Sequence, residues 1–308
     1  MTGHVDVLNF LNNSLIFDET SHSRSQQVKR LLAKYPSLLA SLSSAESVLR
    51  SLWHSRRFAL VIVDVQNDFV DGTLAVSQGP AEANPHQCIR EINNLTRQTV
   101  HLDLAACILT ADWHPESHIS FFDNLSSRAD RLLNNDVTHV SLRDTVMFRR
   151  LDGATSEYRQ TLWPRHAIAN TWGAQFYGDL EIPENAQVIH KGTNPELDSY
   201  SGFDPTDNAL LGFLRERRVT DVFCCGIAFD ICVGSTAVDA LNYGFNTCLI
   251  SNCSAAFDNK SAAIMSNKIV SAGGLVGSTD SLVLPILKRE AYPVQWFEQY
   301  LDEHQKLG

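Results

Sequence analysis

A chain of 308 residues is long enough for one large or two small domains with a substantial buried core. With 44% hydrophobic and 19% charged residues the composition is that of a globular protein, and a formal net charge of -10 disfavours nucleic acid and anionic membrane as partners. The seven cysteines have no framework spacing, and Cys224-Cys225 sit together in an apolar run, which indicates a reducing compartment. No apolar run approaches membrane-spanning length and no signal pattern opens the chain, so the expected location is the cytoplasm.

Residues 1–56 read as helical. Val5, Leu8, Leu11 and Leu15 fall near helical spacing, as do Val28, Leu31, Leu32 and Leu39. Pro36 breaks the pattern, and Ser43 or Ser44 is the expected cap of a further helix through Val48, Leu49 and Leu52. Asp18 to Lys29 lacks the alternating acidic ligands and central glycine of a calcium loop. We take residues 1–56 as an appended helical extension and 57–308 as the main domain.

From Phe58 the texture changes. Phe58 to Val63 is a continuous apolar run, the pattern of a strand buried on both faces of a parallel sheet. A helix with Ile89, Ile92, Leu95 and Val100 follows, then a strand over Ala105 to Thr110. A less regular excursion from about Phe122 to Thr161 contains a predicted strand, Thr138 to Val146. Strands over Gln187 to His190, Val219 to Cys225 and Asn246 to Ile250 then alternate with helices near Asp207 to Arg217, Val233 to Tyr243 and Ala262 to Ala272. Alternation of this kind implies an α/β fold with a doubly wound, mainly parallel sheet flanked by helices.

Three polar residues stand just past three predicted strands: Asp64, Lys191 and Cys232. In a parallel sheet those ends share one edge, so the three converge though far apart in sequence. A cysteine at the start of a helix meets free amides and the positive end of the dipole, which favours thiolate and can hold an oxyanion. A carboxylate can take its proton, and a lysine can hold the pair. Each residue also has a plain reading, as turn former, solvated charge and core thiol; joint placement is what favours chemistry. In Asp112-Trp113-His114, a carboxylate and an imidazole two apart point to one side of an extended segment and can share a metal, with His118 or His166 as a further ligand. Phe69, Trp113 and Trp163 lie close to these groups and are either core or a stacking platform.

Taken together, Asp64-Val65-Gln66-Asn67-Asp68-Phe69, Asp112-Trp113-His114-Pro115 with His118, Trp163-Pro164 with His166, His190-Lys191-Gly192, Tyr200-Ser201-Gly202-Phe203, and Gly226-Ile227-Ala228 with Cys232 resemble, in this order, the motifs of nicotinamidases. These are members of the isochorismatase-like cysteine hydrolase superfamily, and the resemblance runs from about Phe58 to Leu284. It implies Cys232 as nucleophile, Asp64 as general base and Lys191 as third member of the triad. It implies Asp112, His114 and His166 as ligands of a divalent metal, commonly zinc, with His118 open as an additional ligand. Phe69 and Trp163 would flank the pyridine ring of nicotinamide, the small-molecule substrate. A cis Ile227–Ala228 peptide would turn the Ala228 amide, with that of Cys232, toward the oxyanion. The longer excursion before Trp163 and the N-terminal helices depart from the compact family pattern. A sister amide or vinyl-ether hydrolase and a catalytically silent scaffold are the alternative readings.

Overall fold

The computed structural model describes residues 2–17, 23–36, 41–133, 136–149 and 157–305. Leu39, and Asp18 to His22 of the stretch tested as a calcium loop, lie outside them. The N-terminal segment forms α1 (Thr2–Ser14), a two-residue strand β1 (Leu15–Ile16), α2 (Arg24–Lys34) and α3 (Leu42–Ser55). Helix α2 stops at Lys34, consistent with the bar that Pro36 places on helical backbone before it. The cap of α3 is Ser41, whose side chain accepts from the Ser44 amide at 3.2 Å, rather than Ser43 or Ser44 themselves. Those two serines fall inside the first turn, where a cap must receive an N–H from three residues on.

The main domain runs β2 (Phe58–Val63), α4 (Asn67–Val70), α5 (Pro85–Thr99), β3 (Ala106–Asp112), β4 (Thr145–Arg149), β5 (Glu157–Thr161), β6 (Gln187–Lys191), α6 (Ala209–Glu216), β7 (Asp221–Ile227), α7 (Gly234–Asn242), β8 (Asn246–Ala255), α8 (Asn259–Ser271), β9 (Leu275–Gly277), α9 (Leu284–Leu287), β10 (Tyr292–Pro293) and α10 (Val294–Gln305). Six strands form one parallel sheet in the order β6-β3-β2-β7-β8-β9. The chain winds outward from β2 in one direction, then crosses back and winds outward from β7 in the other. The reversal lies between β2 and β7, the place where such sheets open a crevice beyond their carboxyl ends.

All six residues of β2 are buried. Phe58, Leu60 and Ile62 enter one apolar core, and Ala59, Val61 and Val63 enter the core on the opposite face. Two-faced burial explains a run with no polar interruption. The first core continues without a break into the N-terminal helices: Val7, Leu11, Val28, Leu31, Leu49 and Leu52 pack in one cluster with Tyr292, Trp296, Phe297 and Leu301. Strand β1 pairs with β10, and the Tyr35 hydroxyl donates to Asp302 at 2.6 Å. Among the described residues no helix is long and apolar enough to cross a membrane.

The excursion differs from expectation. Thr138 to Asp144 is not strand: Asp136 Oδ1 accepts from the amide and the hydroxyl of Thr138 (2.8 and 2.6 Å), and Arg143 takes φ +73°. A local side-chain turn competes with extension there. Extended backbone begins only at Thr145, where β4 pairs antiparallel with β5 and turns Val146 and Phe148 onto a small core with Ile119, Leu125, Leu132 and Leu162.

Candidate active site

The register carries the ends of four strands to one edge. Val63 pairs with both Thr110 and Gly226, and Asp112 pairs with Lys191. Gly226 has φ +123°, and a Cβ there would lie 2.1 Å from the Val63 carbonyl oxygen, so only glycine lets β7 pass this close to β2. Asp64 follows β2 with φ +50°, its amide donating to Thr110 O at 3.1 Å. The side chain of Gln66 closes the neighbouring gap, donating to Asp112 O and accepting from Asp112 N, both at 2.8 Å.

Asp64, Lys191 and Cys232 meet here, and all three are buried. Lys191 Nζ lies 2.9 Å from Asp64 Oδ2, 2.5 Å from Asp112 Oδ1, 3.1 Å from the Ser199 carbonyl and 3.7 Å from Cys232 Sγ. Thr110 donates its hydroxyl to Asp64 Oδ1 at 2.7 Å. Burial opposes the charge on Lys191, but Asp112 and Asp64 hold it protonated. Burial pushes Asp64 up to about 6, with Lys191 and the Thr110 hydroxyl working against it. Burial also pushes the Cys232 thiol well above its usual range; the charge of Lys191 works against this, and the carboxylates of Asp64 and Asp112 work with it. The thiolate tendency expected from a helix start is therefore reversed. Cys232 lies in a wide turn, Phe229–Val233, ahead of α7, where desolvation outweighs the dipole. The resting pair is a thiol facing a carboxylate, and ionisation of the sulfur requires transfer of its proton.

The Ile227–Ala228 peptide is cis, as the resemblance implied. The Ala228 carbonyl accepts from the Ile231 and Val233 amides at 3.1 Å each, which closes the turn. Ala228 and Cys232 line one pocket with Phe69, Trp163, Tyr200, Phe257, Asp198 and the Asp112–His114–His166 group. Of these, Tyr200, Asp198 and Phe257 carried no sequence assignment; Trp163 Nε1 donates to the Tyr200 hydroxyl at 3.1 Å. Trp113 does not line the pocket: its indole stacks on His190 with ring centroids 4.2 Å apart.

His166 reaches the site because its segment zips alongside His114, with His114 N donating to Ala167 O at 3.0 Å and Ala167 N to Asp68 Oδ2 at 2.7 Å. Asp112, His114 and His166 bring ligand atoms within 4.8 Å of one another. His114 Nδ1 faces the Gly192 carbonyl at 2.8 Å and His166 Nδ1 the Pro164 carbonyl at 2.7 Å. A carbonyl can only accept, so each Nδ1 carries a proton, which leaves Nε2 as the nitrogen that offers a lone pair whenever the ring is neutral. Burial, with His114 next to it, lowers His166 to about 4, which keeps that ring neutral. For Asp112, burial is outweighed by Lys191 and His114, and the carboxylate stays ionised well below its usual range. Burial works against the charge on His114, but Asp112 pushes that ring up, so a cation bound here would take the place of its Nε2 proton. One ionised carboxylate and two imidazoles are a donor set that fits a divalent cation.

An Isochorismatase domain model matches residues 58–281. The nicotinamidase of Schizosaccharomyces pombe is 36% identical over 196 residues, which cover 63% of this chain and 80% of that one. Among solved structures, the nicotinamidase/pyrazinamidase of Acinetobacter baumanii superposes with a TM-score of 0.59 at 34% identity, covering 74% of this chain and 98% of that one. The pyrazinamidase of Pyrococcus horikoshii, solved in complex with zinc, gives 0.54 at 30% identity over 72% and 99%. A match over residues 58–281, with the parallel sheet and the strand-edge site inside it, means that the chain belongs to the isochorismatase family.

Proposed function

We propose that the chain is a nicotinamidase, hydrolysing nicotinamide to nicotinate and ammonia through a thioester on Cys232. The observation that carries this reading is one aromatic-walled pocket lined both by Cys232, which Lys191 and Asp64 adjoin, and by the Asp112–His114–His166 donors. Asp64 takes the Cys232 proton, and the sulfur attacks the carboxamide carbon. The Ala228 and Cys232 amides stabilise the oxyanion, and Lys191 holds Asp64 in place throughout. As the tetrahedral species collapses, Asp64 returns the proton to the departing ammonia. Asp64 then activates water, which cleaves the thioester and restores the thiol. Phe69 and Trp163 clamp the two faces of the pyridine ring. A divalent ion, zinc on this reading, supplies a Lewis-acid anchor for the ring nitrogen when bound by Asp112, His114 and His166.

We assign residues 1–56 as a helical extension docked on a hydrolase domain of residues 57–308, in a cytoplasmic enzyme. A substrate panel tests the activity. Nicotinamide should yield stoichiometric nicotinate and ammonia, whereas an N-carbamoyl amide and isochorismate, which have no pyridine nitrogen, should not turn over. Turnover of either of those with none of nicotinamide would overturn the proposal.

A further inference from the structure

The excursion between β3 and β6 reaches the metal donors. Gln160 on β5 is buried, and its Nε2 donates to Asp198 Oδ2 at 2.8 Å. The same stretch braces the loop that carries Asp198: Tyr158 donates its hydroxyl to Glu196 O at 3.1 Å, and Arg128 pairs with Glu196 at 2.9 Å. Asp198 lines the pocket, and its other oxygen, Oδ1, faces His118 Nε2 at 4.0 Å, too far for a direct hydrogen bond.

His118 is fully buried. Its Nδ1 is engaged by the Ser120 hydroxyl at 2.7 Å and the Ser120 amide at 3.4 Å, while Nε2 has no hydrogen-bond partner. A buried polar atom without a partner is costly, and one aimed into a polar space marks a place for something polar. One ring nitrogen each of His114 and His118 and a carboxylate oxygen of Asp198 lie within 4.8 Å of one another. This second triad shares His114 with the first, and its Asp198 lines the same pocket as Asp112, His114 and His166.

We propose that Asp198, clamped by Gln160, is a further metal-facing residue of this centre and helps to retain its divalent cation. The inference rests on the metal reading of Asp112, His114 and His166. It gives the β4–β5 hairpin a task at the site: Gln160 is a positioning residue that keeps the Asp198 carboxylate turned toward the histidines.

The test is competition between the full-length protein and a chromophoric chelator for Zn2+ and Co2+, with visible spectra of the Co2+ form. Asp198→Asn keeps shape and removes charge, and should weaken metal binding about 10- to 100-fold while changing the Co2+ spectrum. Gln160→Leu should weaken binding in the same direction by less. Melting of the metal-free proteins monitors folding, and metal affinity unaltered in both variants would overturn the inference, as would a Co2+ spectrum of Asp198→Asn superimposable on wild type. Wild-type protein that retains neither ion would sink the underlying metal reading as well, so the two failures are distinguishable.

Discussion

Replacing Thr110 with valine tests how the site sets the basicity of Asp64. The hydroxyl of Thr110 is the neutral donor that reaches Asp64 Oδ1, at 2.7 Å, and neither residue has solvent access. Valine keeps the shape of threonine and removes the donor. A hydrogen bond to a charged group contributes about 1.5–3 kcal/mol. At 1.36 kcal/mol per pH unit, its loss moves the acid limb of kcat/KM upward by about one to two pH units. The sign follows from the role of the group. Asp64 must be ionised to accept the thiol proton, so activity falls as pH drops through about 6. Without the donor the neutral form gains, and the fall begins at higher pH. At pH 6 the variant should lose about 5- to 50-fold relative to wild type, and at pH 9 almost nothing. Initial rates of ammonia release from pH 5 to 9 measure this directly. An unmoved limb, or an equal loss at every pH, would refute the assignment of Asp64 as the base whose ionisation Thr110 supports.

Gly192 has φ +62°, and a Cβ there would lie 2.4 Å from His114 Cε1, so Gly192→Ala combines backbone strain of about 1–3 kcal/mol with displacement of the buried His114 ring. Denaturant melts should register the loss, and a variant as stable as wild type would contradict the packing described. Trp163→Ala should raise KM for nicotinamide by about 2- to 12-fold, the worth of one aromatic stacking contact, with a smaller effect on kcat. An unchanged KM would remove Trp163 from the ring clamp. A chain beginning at Ser55 would uncover Tyr292, Trp296, Phe297 and Leu301, which pack in one core with the N-terminal helices, and should be insoluble or melt well below the full chain. A soluble truncation with the full melting temperature would show that the extension is dispensable.

Much of the fold was legible because its strands are buried on both faces. Phe58 to Val63 was bounded correctly by its unbroken apolar run, and each strand of the main domain except β4, β5, β9 and β10 was located to within a few residues at its start. The strand expected over Thr138 to Val146 starts only at Thr145 for a physical reason: Thr138 and Val140 have strand-like side chains, but the side-chain bonds of Asp136 decide the local backbone. Asp64, Lys191 and Cys232 could be proposed together because strand ends in a parallel sheet share an edge. The resting ionisation of Cys232 could not, since it depends on how completely the turn is desolvated. Thr110 and Phe257 reach the site through tertiary approach alone, and Tyr200 stood in a motif without a role. Asp198 left one usable signal, an acidic residue opening the Asp198-Ser199-Tyr200-Ser201 loop that follows Lys191.

The central claim is that Cys232 attacks nicotinamide. Ammonia release from nicotinamide should be measured for wild type and Cys232→Ala side by side, with metal content and folding matched. Turnover by wild type and none by the variant is the predicted result. Comparable turnover by both would contradict the account, because the attacking atom would then not be the sulfur of Cys232.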